Sequence, residues 1–190
     1  MKVLGINGSP RNEGNTAFLM KTVGEALKSE GIDFEVINLG TKAINGCIGC
    51  GKCHEDPERL CAFKNDAVND IFKKMKDADG VLLGSPVYFS DLTTNLKAVI
   101  ERVGVLSMVN GNILARKPGA AVVAVRRSGA VHTFDSINHF FLISEMIIVG
   151  STYWNVSVGR DPGDCEKDTE GIKTMTNLGK NMSWLIKKLA

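Results

Sequence analysis

Lys2-Val3-Leu4-Gly5-Ile6-Asn7-Gly8-Ser9-Pro10-Arg11, continued by Asn12-Glu13-Gly14-Asn15-Thr16, is the stretch from which the fold is read. Val3 to Ile6 is an apolar run with the length of a buried strand. Gly, Ser, Pro and Asn then break it, and from Thr16 the pattern turns helical. A strand, a polar loop and a helix start together point backbone N–H groups and the positive end of a helix dipole at one spot, which suits a phosphate. Ser9, Asn15 and Thr16 add side-chain donors, and Arg11 adds a fixed positive charge. No Gly-Lys-Ser/Thr closes the loop, so it is not a P-loop. Gly-x-Gly-x-x-Gly is missing, so it is not a dinucleotide fingerprint. A cradle rich in hydroxyls and amides suits a monophosphate; the same residues would also make an ordinary strand-to-helix connection with a good cap.

Outward from this stretch, strand and helix patterns alternate. Met20, Val23 and Leu27 recur at helical spacing between Thr16 and Glu30, and Ile32, Phe34 and Val36 alternate as a second strand. Residues 40–65 show neither period, and a loop this long is expected to be functional. Asp66 is placed to cap a helix burying Val68, Ile71, Phe72 and Met75. Gly80–Gly84 is a third strand, Leu96, Val99, Ile100 and Val103 mark a helix, and Ala120–Val125 is a fourth strand. Phe134, Ile137, Phe140 and Phe141 share a helix, Met146–Val149 is a fifth strand, and a last helix buries Met175, Leu178, Met182, Leu185 and Leu189. Five apolar strands alternating with helices predict an α/β fold, one doubly wound parallel sheet with right-handed crossovers. Ligands of such sheets lie beyond the carboxyl ends of the strands. The loops Ser9–Thr16, Ser85–Asp91 and Arg126–Thr133 should therefore meet at one edge.

The chain of 190 residues, 44% of them hydrophobic, suits a single domain over residues 1–190, with 40–65 as a cysteine-rich insertion. Its 23 basic and 21 acidic residues nearly cancel, and no basic stripe with interleaved aromatics appears, so nucleic acid is not an expected partner. No apolar segment is long enough to span a bilayer, and no signal peptide precedes the first strand. Five cysteines, four of them clustered, fit a reducing cytoplasm better than a disulfide framework.

Ser85-Pro86-Val87-Tyr88-Phe89 has the chemistry of a wall for a flat ring. Pro86 stiffens the backbone, and Val87, Tyr88 and Phe89 offer apolar surface; a hydrophobic loop tucked over the sheet is the plainer alternative. Beside a monophosphate cradle, flavin mononucleotide (FMN) becomes the better account. Gly8-Ser9-Pro10-Arg11 with Gly14-Asn15-Thr16, together with Gly84-Ser85-Pro86-Val87-Tyr88, resembles the flavodoxin-like NAD(P)H-dependent FMN reductases, and most of all their cysteine-bearing branch, the iron–sulfur flavoproteins. The resemblance covers nearly the whole chain. It implies a five-stranded sheet of order 2-1-3-4-5, FMN, and homodimers or homotetramers with the flavin near a subunit boundary. By motif position, Ser9, Arg11, Asn15, Thr16 and Ala17 would hold the phosphate, and Pro86, Val87, Tyr88 and Phe89 would flank the ring. The third loop, Arg126-Arg127-Ser128-Gly129, departs from the glycine-rich version of simple FMN reductases. Arg126 is its candidate flavin contact, with a solvated loop as the alternative.

Cys47-Ile48-Gly49-Cys50-Gly51-Lys52-Cys53 gives Cys-x2-Cys-x2-Cys, and Cys61 follows after seven more residues. The first three spacings match the bacterial ferredoxin run, whose fourth cysteine comes sooner. Three readings stand for Cys47, Cys50, Cys53 and Cys61: a [4Fe–4S] cluster, a four-cysteine zinc site, or no metal. The late fourth cysteine is the pattern of the iron–sulfur flavoproteins, and that resemblance implies one [4Fe–4S] cluster that exchanges electrons with FMN. Cys165 stands apart as a free thiol and His54 reads as loop surface.

The expected activity is that of an oxidoreductase drawing on NAD(P)H or ferredoxin, with flavin-centred chemistry and no side chain required as general acid or base. His132 and His139 read as structural. Tyr153 and Trp154 are open to core packing or to a flavin edge reached from a neighbouring subunit. A flavodoxin-type electron carrier and a redox sensor are the alternatives from other classes; the near-neutral charge speaks against a carrier, which is usually acidic.

Overall fold

A computed structural model describes all 190 residues. β1 (Lys2–Asn7), α1 (Asn15–Ser29), β2 (Asp33–Asn38), α2 (Val68–Asp77), β3 (Gly80–Pro86), α3 (Thr94–Val109), β4 (Pro118–Val125), α4 (Ala130–Ile143), β5 (Ile147–Ile148), β6 (Val156–Val158) and α5 (Thr169–Leu189) follow in that order. All strand pairs are parallel, and the sheet runs β2-β1-β3-β4-β5, the expected order.

Alternate strand residues point to opposite faces, and here both faces are buried. Leu4, Ile6, Val81, Leu83, Ala121 and Val123 join the core beneath α2, α3 and α4. Val3, Leu82, Ala120, Val122 and Ala124 join the core beneath α1 and α5. The two edges are partly uncovered: on β2 Phe34 is half-buried and Val36 exposed, and on the other side Ile147 of β5 and Val158 of β6 are exposed. No helix is long and apolar enough to cross a membrane.

Three expectations need correction. The fifth strand position is shared: β5 pairs with the start of β4 (Pro118↔Ile147) and β6 with its end (Val123↔Val156). Between them the chain leaves the sheet, so Tyr153 and Trp154 are exposed rather than core. On α5, Ile186 takes the buried place expected of Leu189, which is about half exposed, and Leu185 is half-buried; the apolar stripe turns away as the helix outlasts the sheet. Asp66 stands one residue ahead of the N-cap, Ala67, and accepts from the Val68 N–H (3.1 Å). His132 and His139 both lie exposed on α4.

α1 and α5 approach closely because Gly179 has no side chain: a Cβ there would sit 2.7 Å from the Val23 carbonyl oxygen and 2.6 Å from Ala26 Cβ. Gly179→Val should therefore lower unfolding free energy by about 3 kcal/mol, the upper end of overpacking costs, because the clash is with backbone. The shift in the urea midpoint measures it, with Gly179→Ala expected to lose less.

Candidate functional site

The three loops do meet. Gly8 N–H donates to the Gly84 carbonyl (2.8 Å), carrying the β1–β3 pairing past the end of β1. Thr93 Oγ1 donates to the Gly8 carbonyl (2.7 Å), and Thr93 N–H donates to Ser85 Oγ (3.1 Å). A cleft of about 200 Å³ opens at this edge. Ser9, Arg11, Asn15 and Thr16 line it from the first loop, Pro86, Val87 and Tyr88 from the second, and Arg126 from the third. Sequence reasoning missed Gly14, Ala124, Gly159 and Arg160; the last two follow directly after β6, whose three residues are too short to show a period.

The cleft is built for an anion. Gly14, the N-cap of α1, contributes no side-chain cap, so the N–H groups of the first helical turn keep no intrahelical partner. Ser9 and Thr16 are buried, and Ser9 Oγ accepts from the Arg11 N–H (3.1 Å). Arg11, Arg126 and Arg160 bring three guanidinium groups, and no acidic residue lines the cleft. None of the three arginines is in an ion pair. Whole-ligand pockets are usually about 300 Å³ or more; this one suits the phosphate end, and the half-exposed Tyr88 leaves the ring region open at the rim.

Three of the expected contacts take a particular form. The Asn15 amide faces inward to the chain: its Oδ1 accepts from the Gly163 N–H (3.1 Å) and its Nδ2 donates to the Asp161 carbonyl (3.0 Å). It ties the segment after β6 to α1, which leaves one Nδ2 hydrogen for the cleft. Ala17 lines a separate hollow with Asn12 and Lys21 and can offer the cleft only its backbone N–H. Phe89 is fully exposed at the tip of a two-residue turn, where Phe89 and Ser90 both have positive φ (48° and 64°) and Tyr88 and Asp91 exchange backbone hydrogen bonds. Twisted turns of this kind close hairpins, and this one aims Phe89 away from the cleft's wall. Arg127 is exposed outside the cleft.

Cys47, Cys50, Cys53 and Cys61 line one cavity of about 360 Å³ with Arg102, Val105 and Leu106 of α3 at its side. Gly49 and Gly51 are left-handed (φ 64° and 72°), which curls the backbone so that N–H groups can face into a concave anion or cluster site. The Asn69 amide grips Cys61, accepting from its N–H (2.9 Å) and donating to its carbonyl (3.0 Å). All four thiols are free. No three His, Cys, Asp or Glu side chains converge as a single-ion site requires. The four thiols line one cavity, a donor set that suits either a polynuclear centre or zinc. Burial pushes the Cys53 thiol up, and the other three cysteines' charges add to that; a cationic centre would relieve both.

Arg102 is almost wholly buried. Its Nε donates to Cys61 Sγ (3.3 Å), Nη1 to the Asn45 carbonyl (3.3 Å) and to the Asp66 carboxylate, and Nη2 to the Phe63 carbonyl (3.2 Å). The Phe63 ring stacks against it, 5.2 Å from its centroid. Burial opposes the charge, but the hydrogen bonds to Asp66 and Cys61 outweigh it and hold the guanidinium above its ordinary value. The fifth thiol, Cys165, is buried away from this cavity, and burial raises it. His54 is exposed but lines the cysteine cavity's rim.

The sequence profile of the NADPH-dependent FMN reductase family matches residues 1–161. The chain belongs to that family. Within it, the chain is 44% identical to an iron–sulfur flavoprotein of Methanocaldococcus jannaschii, over 98% of each chain, and 30% identical to an iron–sulfur flavoprotein of Methanosarcina thermophila, over 96% of this chain and 93% of that one. Among solved structures, an archaeal flavodoxin (14% identity, TM-score 0.64, 98% and 99% covered) and RosB with a bound formylated riboflavin phosphate (17%, TM-score 0.74, 100% and 80%) share the flavodoxin-like fold. Family and fold together support an FMN-dependent oxidoreductase.

The segment that carries Arg160 is fastened by Asp168, the N-cap of α5. Its carboxylate accepts from the Gly171 N–H (2.9 Å), from Ser157 Oγ (2.7 Å) and from the Val158 N–H (3.0 Å). Burial works against its charge, but these donors outweigh burial and hold the carboxyl below its usual 3.8. Its stabilisation is thus complete above the unfolded carboxyl's range and is lost as pH falls through the lower folded value. Asp168→Ala should cost about 1–2 kcal/mol at pH 7. The gap from wild type should narrow only in strong acid, as urea titrations across pH would record.

Proposed function

We propose that this protein is an oxidoreductase that binds FMN at the edge of β1, β3 and β4, takes electrons from NAD(P)H or ferredoxin, and holds a [4Fe–4S] cluster in the cysteine cavity. The observation that carries the reading is the pairing of two sites in one chain: an anion cleft lined by three unpaired arginines and a separate cavity walled by four free thiols. The relatives named iron–sulfur flavoproteins favour it. FMN exchanges hydride or single electrons, and an iron–sulfur cluster exchanges single electrons.

The residues have distinct work. Thr16, Ser9 and the first turn of α1 would bind the phosphate, with Arg11, Arg126 and Arg160 balancing its charge. Pro86, Val87 and Tyr88 would orient the ring. Cys47, Cys50, Cys53 and Cys61 would each take one iron. From its N-cap Thr93, which braces the candidate flavin loop, α3 runs to Arg102 at the cysteine cavity, about 13.5 Å along the helix axis. The exposed Phe89, Tyr153 and Trp154 favour a homodimer or homotetramer that covers the flavin rim.

Protein prepared without oxygen should be coloured, carry FMN, and contain about four iron atoms and four sulfides per chain. Cys50→Ser should abolish the iron while FMN remains, because the two sites use different loops; joint loss in a folded protein would count against separate sites. Thr16→Val should raise the FMN Kd about tenfold, the worth of one hydrogen bond to a charged group, read by flavin fluorescence. Steady oxidation of NADPH or NADH by the holoprotein identifies a nicotinamide donor. No turnover with either, but reduction by ferredoxin, identifies the other.

A further inference from the structure

Arg102 lies on α3 among Val99, Val103 and Leu106, all buried. A helix face of that kind has no packing use for a guanidinium, and the other six arginines of the chain are all exposed. Its donors go entirely to the cysteine loop: to a thiol, to two backbone carbonyls and to a carboxylate, at residues 61, 45, 63 and 66. The two carbonyls and the thiol fix the cavity wall. The carboxylate does something further: Asp66 is itself buried against Arg102, so it offsets part of the cation's charge beside the sulfur.

We propose that Arg102 positions Cys61 and sets the reduction potential of the iron–sulfur cluster, with Asp66 limiting how much of its charge the cluster senses. The inference rests on the reading that Cys47, Cys50, Cys53 and Cys61 hold that cluster. A reduced cluster carries one more negative charge than an oxidised one. A cation hydrogen-bonded to a ligand sulfur stabilises the reduced form more, and hydrogen bonds to sulfur and local charge are the means by which proteins tune these centres. In a buried site such a charge is weakly screened. Arg102 therefore makes the cluster easier to reduce, and Asp66 makes it harder.

Opposite signs provide the test. Wild type, Arg102→Gln, Arg102→Lys and Asp66→Asn are prepared anaerobically as FMN-loaded holoproteins. Iron, sulfide and FMN are counted, and each cluster is titrated electrochemically with EPR detection. Arg102→Gln should lower the equilibrium constant for one-electron reduction at least tenfold, about 59 mV. Asp66→Asn retains an acceptor for the Val68 N–H and should shift the potential upward. Arg102→Lys, which keeps the charge, should lie nearer wild type than Arg102→Gln. A loop that merely loosened would move both neutral variants the same way. Potentials that move together, or stay at the wild-type value with iron intact, overturn the assignment of Arg102 and leave the cluster standing. If Arg102→Gln retains no iron, the positioning role is supported and Asp66→Asn and Arg102→Lys decide the potential. Wild-type protein without iron or sulfide overturns the cluster itself, and this inference with it.

Discussion

The hydrogen bond from Gly8 N–H to the Gly84 carbonyl is the contact on which the candidate flavin site depends. It extends the pairing of β1 and β3 by one residue beyond the end of β1, and so fixes the phosphate loop and the ring loop side by side. Gly8 is needed for this. A Cβ there would lie 2.8 Å from Leu96 Cβ and 3.0 Å from the Gly84 oxygen. Gly84 is equally constrained, since its Cβ would meet Met20 Sδ at 2.5 Å. Two glycines thus let α1 and α3 close on the central strands from opposite faces, and the ends of both helices arrive at one edge of the sheet.

From that edge the chemistry divides. The first turn of α1, with its uncapped N–H groups and nearby arginines, is suited to an anion. The far part of α3 borders a different kind of place, an apolar cavity with four sulfurs and one buried cation. The helix that separates the sites also connects them. Thr93 at its start braces the loop around Gly8, and Arg102, about two and a half turns further on, holds the segment of residues 45–66. Rigid secondary structure therefore sets the geometry between the sites, although the cysteines themselves lie on an irregular segment.

Much of this was legible in the chain. The apolar runs at Val3–Ile6, Val81–Leu83 and Ala120–Val125 announce strands buried on both faces, and the break at Gly8–Asn15 announces a ligand loop. What was not legible depends on long-range partners. Asn15 looks like a phosphate donor until Asp161 and Gly163, far along the sequence, claim most of its amide. Arg160 reaches the cleft only because three residues of β6 pair with β4, too few to show a period. Phe89 reads as ring wall by composition, but its turn geometry directs it outward. Arg102 did leave a signal that went unread, a charge at a position that helical spacing from Val99 and Leu106 assigns to the interior.

The two-part fifth strand has a consequence for how this protein tolerates change. The register of β6 is set by β4 on one side, beginning with the Asn155 carbonyl that accepts from the Val123 N–H, and by Asp168 on the other. Gly150, Ser151 and Thr152 are tied to α5, so only the exposed tip at Tyr153 and Trp154 could change in length without displacing Gly159 or Arg160. The edge carrying Tyr153 and Trp154 is therefore free to diversify while the neighbouring anion site stays unchanged, a separation that lets one scaffold acquire new neighbours without relearning its chemistry.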